Sequence, residues 1–212
     1  MKHLILMCDV VKSRNKDQKQ LIKELKQTVR FINRKYSNDI LSPLTITLGD
    51  EFQGIIKNVE SGLSIIIEIE EYIIKNKFDF KLRYVFNVGD IDTQINAKVA
   101  HEMLGVGLTE TRTKLNQLKS TDNRINVSMG DEIISSVINN SFVVLDNIIN
   151  KWDIEDDFEI ASTFLEYIDY KIVAEKLNRN RSLIWKREKT LNIRSYRAVK
   201  DIIQQAHLLA HL

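Results

Sequence analysis

The chain has 212 residues, 43% of them hydrophobic and 28% charged, with a formal net charge of +2 at pH 7. This is ordinary globular composition, long enough for one large domain or two small ones, and it excludes disorder as the default reading. The single cysteine, Cys8, excludes a disulfide framework and suits a reducing compartment, and no stretch approaches the ~20 consecutive apolar residues of a membrane span. The apolar run after Met1-Lys2-His3 is too short for a signal peptide, so a cytoplasmic protein without membrane contact is expected.

Residues 3–11 (HLILMCDVV) read as a short buried strand carrying Asp9 near its end. Residues 17–36 place Leu21, Ile22, Leu25, Val29 and Ile32 on one helical stripe. Pro43, the only proline, precedes a β-rich segment at 44–48, and Gly49-Asp50 separates it from a second strand at 52–57, so the pair reads as a hairpin. A helix is expected over 61–75 and an alternating strand over 78–88. The order β-α-β-β-α-β is that of a ferredoxin-like, palm-type α+β domain, expected to span residues 1–150. Beyond it, 108–118 looks helical, 124–127 a short strand and 131–152 one or two helices. The acidic stretch 153–159 reads as a linker.

In such a sheet the first two strands run parallel with the third between them. The end of the first strand then lies beside the hairpin, and Asp9 comes near Asp50 and Glu51. Bare carboxylates at one sheet edge repel each other, and a divalent cation such as Mg²⁺ or Mn²⁺ resolves the repulsion. The loop after Asp9 offers Lys12, Ser13 and Arg14 to a phosphate, and Gly49 allows close backbone approach. The competing reading is plain turn and cap chemistry at Asp9 and Gly49-Asp50. His3, His101, His207 and His211 show no metal-ligand spacing, and no phosphate loop or nucleophile elbow appears.

The segment Cys8-Asp9-Val10-Val11-Lys12-Ser13 resembles the first metal-binding strand of class III nucleotidyl cyclases. Leu48-Gly49-Asp50-Glu51-Phe52 resembles their Gly-Asp hairpin and the GGDEF signature of diguanylate cyclases. Gly105-Val106-Gly107 with Arg112, and then Ile125-Asn126-Val127-Ser128, are similar to the cyclases' Gly-rich segment, following helix and next strand. The whole chain is most similar to the SatD family of bacterial proteins. The cyclase resemblance implies a nucleotide ligand, a Mg²⁺ or Mn²⁺ ion on Asp9, Asp50 and Glu51, and a homodimer that completes the site. Three departures limit it. Leu48 replaces a glycine, Thr45-Ile46-Thr47 lacks the base-reading lysine, and Leu108 and Thr109 stand near the place of the transition-state asparagine.

Residues 171–212 carry ten Lys/Arg against three Asp/Glu, leaving 21 basic and 26 acidic residues in the remainder. Within this basic tail Ile172, Val173, Ala174 and Leu177 form one helix face, and Asn178 sits where a turn needs a left-handed residue. Ser182 is expected to cap a second helix, with Leu183 and Ile184 pointing inward and Trp185 packing on a third helix. This is a helix-turn-helix pattern, expected to form an all-α DNA-binding domain over residues 151–212. Arg179, Arg181, Ser182, Lys186, Arg187 and Lys189 would meet double-stranded DNA. Three functions follow: a DNA-binding regulator that senses a nucleotide or phosphate ligand, a Mg-dependent nucleotidyl cyclase or nucleotidyltransferase, or a protein-interaction module. The helix pair can equally be a docking or dimerisation surface.

Overall fold

The first strand is apolar on both faces, and each face acquires its own cover. In the computed structural model, which describes residues 1–47 and 49–211, β1 (Lys2–Val10) lies at the centre of a five-stranded mixed sheet. The spatial order is β2-β3-β1-β4-β5, with β2 at Ile40–Ile46, β3 at Glu51–Ile56, β4 at Leu82–Asp90 and β5 at Ile125–Ser128. β1 pairs antiparallel with β3 and β4, β3 antiparallel with β2, and β4 parallel with β5. β3 thus lies between β1 and β2, which run in the same direction. Leu48, expected at the end of the second strand, is outside the described residues.

Leu6, Cys8 and Val10 point to one side, where α1 (Gln18–Lys35), α2 (Val59–Lys75) and α4 (Glu132–Ile149) build the larger core. Ile5 and Met7 point to the other, where α3 (Val106–Leu118) contributes Leu115 and Leu118 to a smaller core. Near-continuous apolar sequence is what a strand covered on both faces requires. α3 comes very close to β4. A Cβ added at Gly107 would meet the backbone of Gly89 at 2.5 Å, so backbone packs on backbone there.

Several boundaries differ from the sequence expectations for identifiable reasons. β2 starts before Pro43 and shifts register on both sides of it, which an edge strand tolerates because its outer N–H groups need no ladder partner. Phe78 and Phe80, expected within a strand, precede β4 and are buried in the larger core. Where the sequence suggests one or two helices over 131–152 there is one, α4, capped by Asp131 and ending at Ile149. Among the described residues α4 is the one helix long and apolar enough to cross a membrane by length and composition, and it packs on β5 and on the C-terminal helices.

The C-terminal region consists of α5 (Phe158–Glu166), α6 (Tyr170–Lys176), α7 (Arg181–Thr190) and α8 (Ile193–Gln205), followed by a 3₁₀ turn. α5 and α8 lie on α2, α8 also on α4, and the larger core runs unbroken from Leu6 to Ala206. The acidic stretch expected as a linker is built into this packing. Asp157 is buried, accepts the Asp153 N–H and pairs with Arg187, while Asp153 accepts the N–H groups of Glu155 and Asp156.

One buried ion cluster ties these layers together. Arg124 is 8% exposed, donates to Glu70 of α2 at 3.0 Å, to Asp146 of α4 and to the Leu82 carbonyl of β4. Tyr84 donates its hydroxyl to the same Glu70 at 2.7 Å. The two carboxylates raise the Arg124 pKa against the opposing effect of burial. Removing one member of a buried ion network leaves uncompensated charge in a medium that cannot solvate it. Arg124→Ala is therefore expected to lose about 3–5 kcal/mol of stability, read as a lowered urea midpoint, whereas Arg179→Ala on the surface stays close to the parent because exposed pairs contribute little.

Candidate functional site

Antiparallel register brings Asp9 of β1 opposite Glu51 at the start of β3 and opposite Arg83 of β4. Asp9 is 4% exposed and Glu51 is 9% exposed, and both are met by cations from α3 and its end. Lys119 lies 3.2 Å from Asp9 and 3.6 Å from Glu51, Arg112 donates to Glu51 at 2.7 Å, and Arg83 lies 3.5 Å from Asp9. Asp50 is engaged differently. Its carboxylate accepts the Ser13 hydroxyl at 2.5 Å, and its carbonyl accepts the Val10 N–H at 3.0 Å. The hairpin is thereby tied to the turn after β1. Gly49 sits in that hairpin at φ +85°, and Lys12, at φ 53°, opens the 3₁₀ turn Ser13–Asn15 with Lys12 and Arg14 exposed.

The structure thus brings Asp9 and Glu51 together and sets Asp50 against Ser13. The residues that sequence reasoning missed are Lys119 and Arg83. Lys119 follows Arg112 by seven residues, two helical turns, so one helix face could have shown the pair. One oxygen, Asp9 Oδ1, is buried without a hydrogen-bond partner. The two carboxylates are, however, already faced by three cations, and among the described residues no group of three or more His, Cys, Asp or Glu is arranged around a metal. This arrangement does not fit a resident divalent ion, and its charge pairs fasten α3 onto the sheet.

The second candidate surface is α6–α7. Val173, Ala174 and Ile184 are buried between the helices, and Asn178 in the turn takes φ 48°, the left-handed conformation. The cap of α7 is Asn180, whose side chain accepts the Ser182 N–H, rather than Ser182 itself. Leu183, expected to point inward, is 46% exposed. Trp185, expected to pack, is 40% exposed and lies beneath Lys189, whose ammonium is 3.6 Å from its ring centroid. Arg181, Ser182 and Lys186 are exposed on the same helix. Arg187 is turned inward to Asp157, and Arg179 pairs with Glu159 at 2.8 Å.

A family model for SatD matches residues 3–207. The chain belongs to the SatD family. No curated protein matches this SatD chain. Among solved structures it is similar to the monomeric guanylyl cyclase domain of the RhoGC fusion protein from the aquatic fungus Blastocladiella emersonii, at 14% identity and a TM-score of 0.44. That match covers 60% of this chain and 82% of the other. A bacterial light-regulated adenylyl cyclase matches at 11% identity and a TM-score of 0.40, over 59% of this chain and 74% of that one.

Burial holds the Asp9 carboxyl above the usual carboxylate range, with a contribution from the Glu51 charge, against the lowering by Lys119 and Arg83. A carboxyl with a raised folded pKa binds its proton more tightly when folded, so its contribution to stability falls as pH rises from the unfolded value through the folded one. Asp9→Asn is accordingly expected to melt at a higher temperature than the parent at pH 7. The difference should shrink towards pH ~4, where the parent carboxyl is also neutral. Scanning calorimetry at both pH values checks this. A variant less stable than the parent at pH 7 would mean that the pairs with Lys119 and Arg83 outweigh desolvation.

Proposed function

We propose that this SatD-family protein is a DNA-binding regulator, in which α6 and α7 act as a helix-turn-helix and the sheet region carries a site for a small anionic ligand. The observation that supports it most is the free face of α7. Burial of Val173, Ala174 and Ile184 leaves Arg181, Ser182, Trp185, Lys186 and Lys189 to solvent along one short helix. Arg181, Lys186 and Lys189 have no carboxylate within ion-pair distance among the described residues. A recognition helix reads base edges along one face and holds phosphates with flanking cations, and exposed Arg181, Ser182 and Lys186 on such a face, flanked by Lys189, suit that division. On the ligand side, Lys12 and Arg14 flank Ser13 as exposed cations at the end of β1. The reading treats 1–150 as the sensing part and 151–212 as the DNA-binding part, packed on one another through a shared core.

The test titrates the full chain against duplex DNA of random and of selected sequence across a salt series. Affinity should fall steeply with salt, because each neutralised phosphate releases condensed counterions. Lys189→Gln should weaken binding to all sequences alike and reduce the log–log salt slope by about one. Arg181→Ala and Lys186→Ala should instead change which sequences are preferred. Arg187→Gln should act through stability, since Asp157 loses its partner. Weak binding of all duplexes, unchanged by Arg181→Ala, Lys186→Ala and Lys189→Gln, would assign this helix pair to protein contacts.

A further inference from the structure

Where α2 and α4 end and the chain turns into the C-terminal region, the structure holds a cavity of about 500 Å³. Its apolar walls include four aromatic rings, Phe78, Phe80, Trp152 and Phe158, all of them members of the larger core. Three lysines, Lys12, Lys16 and Lys81, reach the same space. The acidic groups that also line it are mostly engaged. Glu70 is paired with Arg124, Asp79 pairs with Lys16 at 2.8 Å, and the Asp153 carboxylate accepts backbone N–H groups. Lys12 has no carboxylate partner among the described residues, and Lys81 meets only the side-chain oxygen of Asn150. Partial burial, and then the nearby Arg124 guanidinium, holds Lys81 below the usual lysine range, so an anion placed beside it would favour its charged form. Clefts of this size with apolar walls and a few convergent polar groups are typical of small-molecule sites. The walls select a flat apolar body, and the free ammonium groups select a negative head.

Two walls are fastened to α7. The Trp152 indole N–H donates to the Leu191 carbonyl, at the C-terminal end of α7, at 2.9 Å. Phe158 follows Asp157, which grips Arg187 in the last turn of the same helix. A ligand that moves either ring therefore acts on the position of α7.

We propose that this cavity is the effector site, that it takes a small aromatic carboxylate, and that its occupation changes the affinity of α7 for DNA. The regulatory half rests on the DNA-binding reading above. The test uses 2-naphthoate with the full chain in isothermal titration calorimetry, beside the uncharged 2-naphthamide. One naphthoate should bind per chain, and naphthamide should bind at least ~tenfold more weakly. The Lys12→Gln/Lys81→Gln double variant should show a similar loss, and so should Ile154→Trp, which fills the cavity from its partly exposed rim. Saturating naphthoate should change the DNA dissociation constant by about fivefold or more, with no change in Ile154→Trp. Absent binding, or equal binding of the amide, overturns the anion site. Binding that leaves DNA affinity unchanged overturns the coupling. A chain that binds naphthoate but no DNA at any salt refutes the DNA-binding reading and leaves the cavity standing, whereas one that binds DNA but not naphthoate refutes the cavity alone.

Discussion

Arg124 is the cation on which the arrangement of this molecule turns. It stands just before β5 and satisfies carboxylates from two different helices, Glu70 of α2 and Asp146 of α4, together with a carbonyl of β4. Without it, the buried Glu70 of α2 and the partly buried Asp146 of α4 would be left as uncompensated charges. These two helices are in turn the surface on which α5 and α8 rest. Tyr196 of α8 extends the polar linkage by donating to Glu71, one residue from Glu70, at 2.9 Å, and Lys200 reaches the same carboxylate. The placement of α7 follows from this stack, because Trp152 and Asp157 tie it back to the end of α4 and the start of α5.

The opposite face of the sheet shows a related solution with a different outcome. Asp9 and Glu51 come together through strand register, and what balances them is Lys119, Arg112 and Arg83 rather than a metal ion. Arg112 and Lys119 come from α3 and its end, the same helix that supplies Leu115 and Leu118 to the smaller core. A face that resembles a cyclase's metal-binding edge in sequence is therefore closed by the protein's own cations. Asp9 keeps one unpartnered oxygen there and a raised pKa, the mark of a charge held at some cost to stability.

Local pattern made much of this legible in the sequence. The apolar run carrying Asp9, the stripe Leu21–Leu25–Val29–Ile32 and the Gly-Asp break each declare their element through side-chain period or turn chemistry, and strand order then brings Asp9 to Glu51. The left-handed Asn178 was readable for the same reason, as a residue type with few other uses between two helices. Long-range charge was not readable. Nothing local to Arg187 shows that it pairs with Asp157 thirty residues earlier, or that an acidic stretch is held by its own side-chain caps with Asp157 buried rather than serving as a linker. Pro43 lies inside β2 rather than before it, because an edge strand tolerates a proline that a central strand would not. The cavity has no local signature in the sequence, because its rings come from separate segments, Phe78 and Phe80 before β4 and Trp152 and Phe158 after α4.

The exposed face of α7 carries the central claim, and the chain's one cysteine makes it directly accessible to experiment. Cys8 is buried at 0% exposure, so Ser182→Cys supplies a single accessible thiol at the start of α7, and Lys23→Cys supplies one on α1. Each variant, alkylated with a phenanthroline–copper reagent, is mixed with its tightest-binding duplex and the strand breaks are mapped. Cleavage confined to a few adjacent nucleotides is expected from position 182, with background cleavage from position 23. Equal, unlocalised cleavage from both positions would contradict DNA binding by α7.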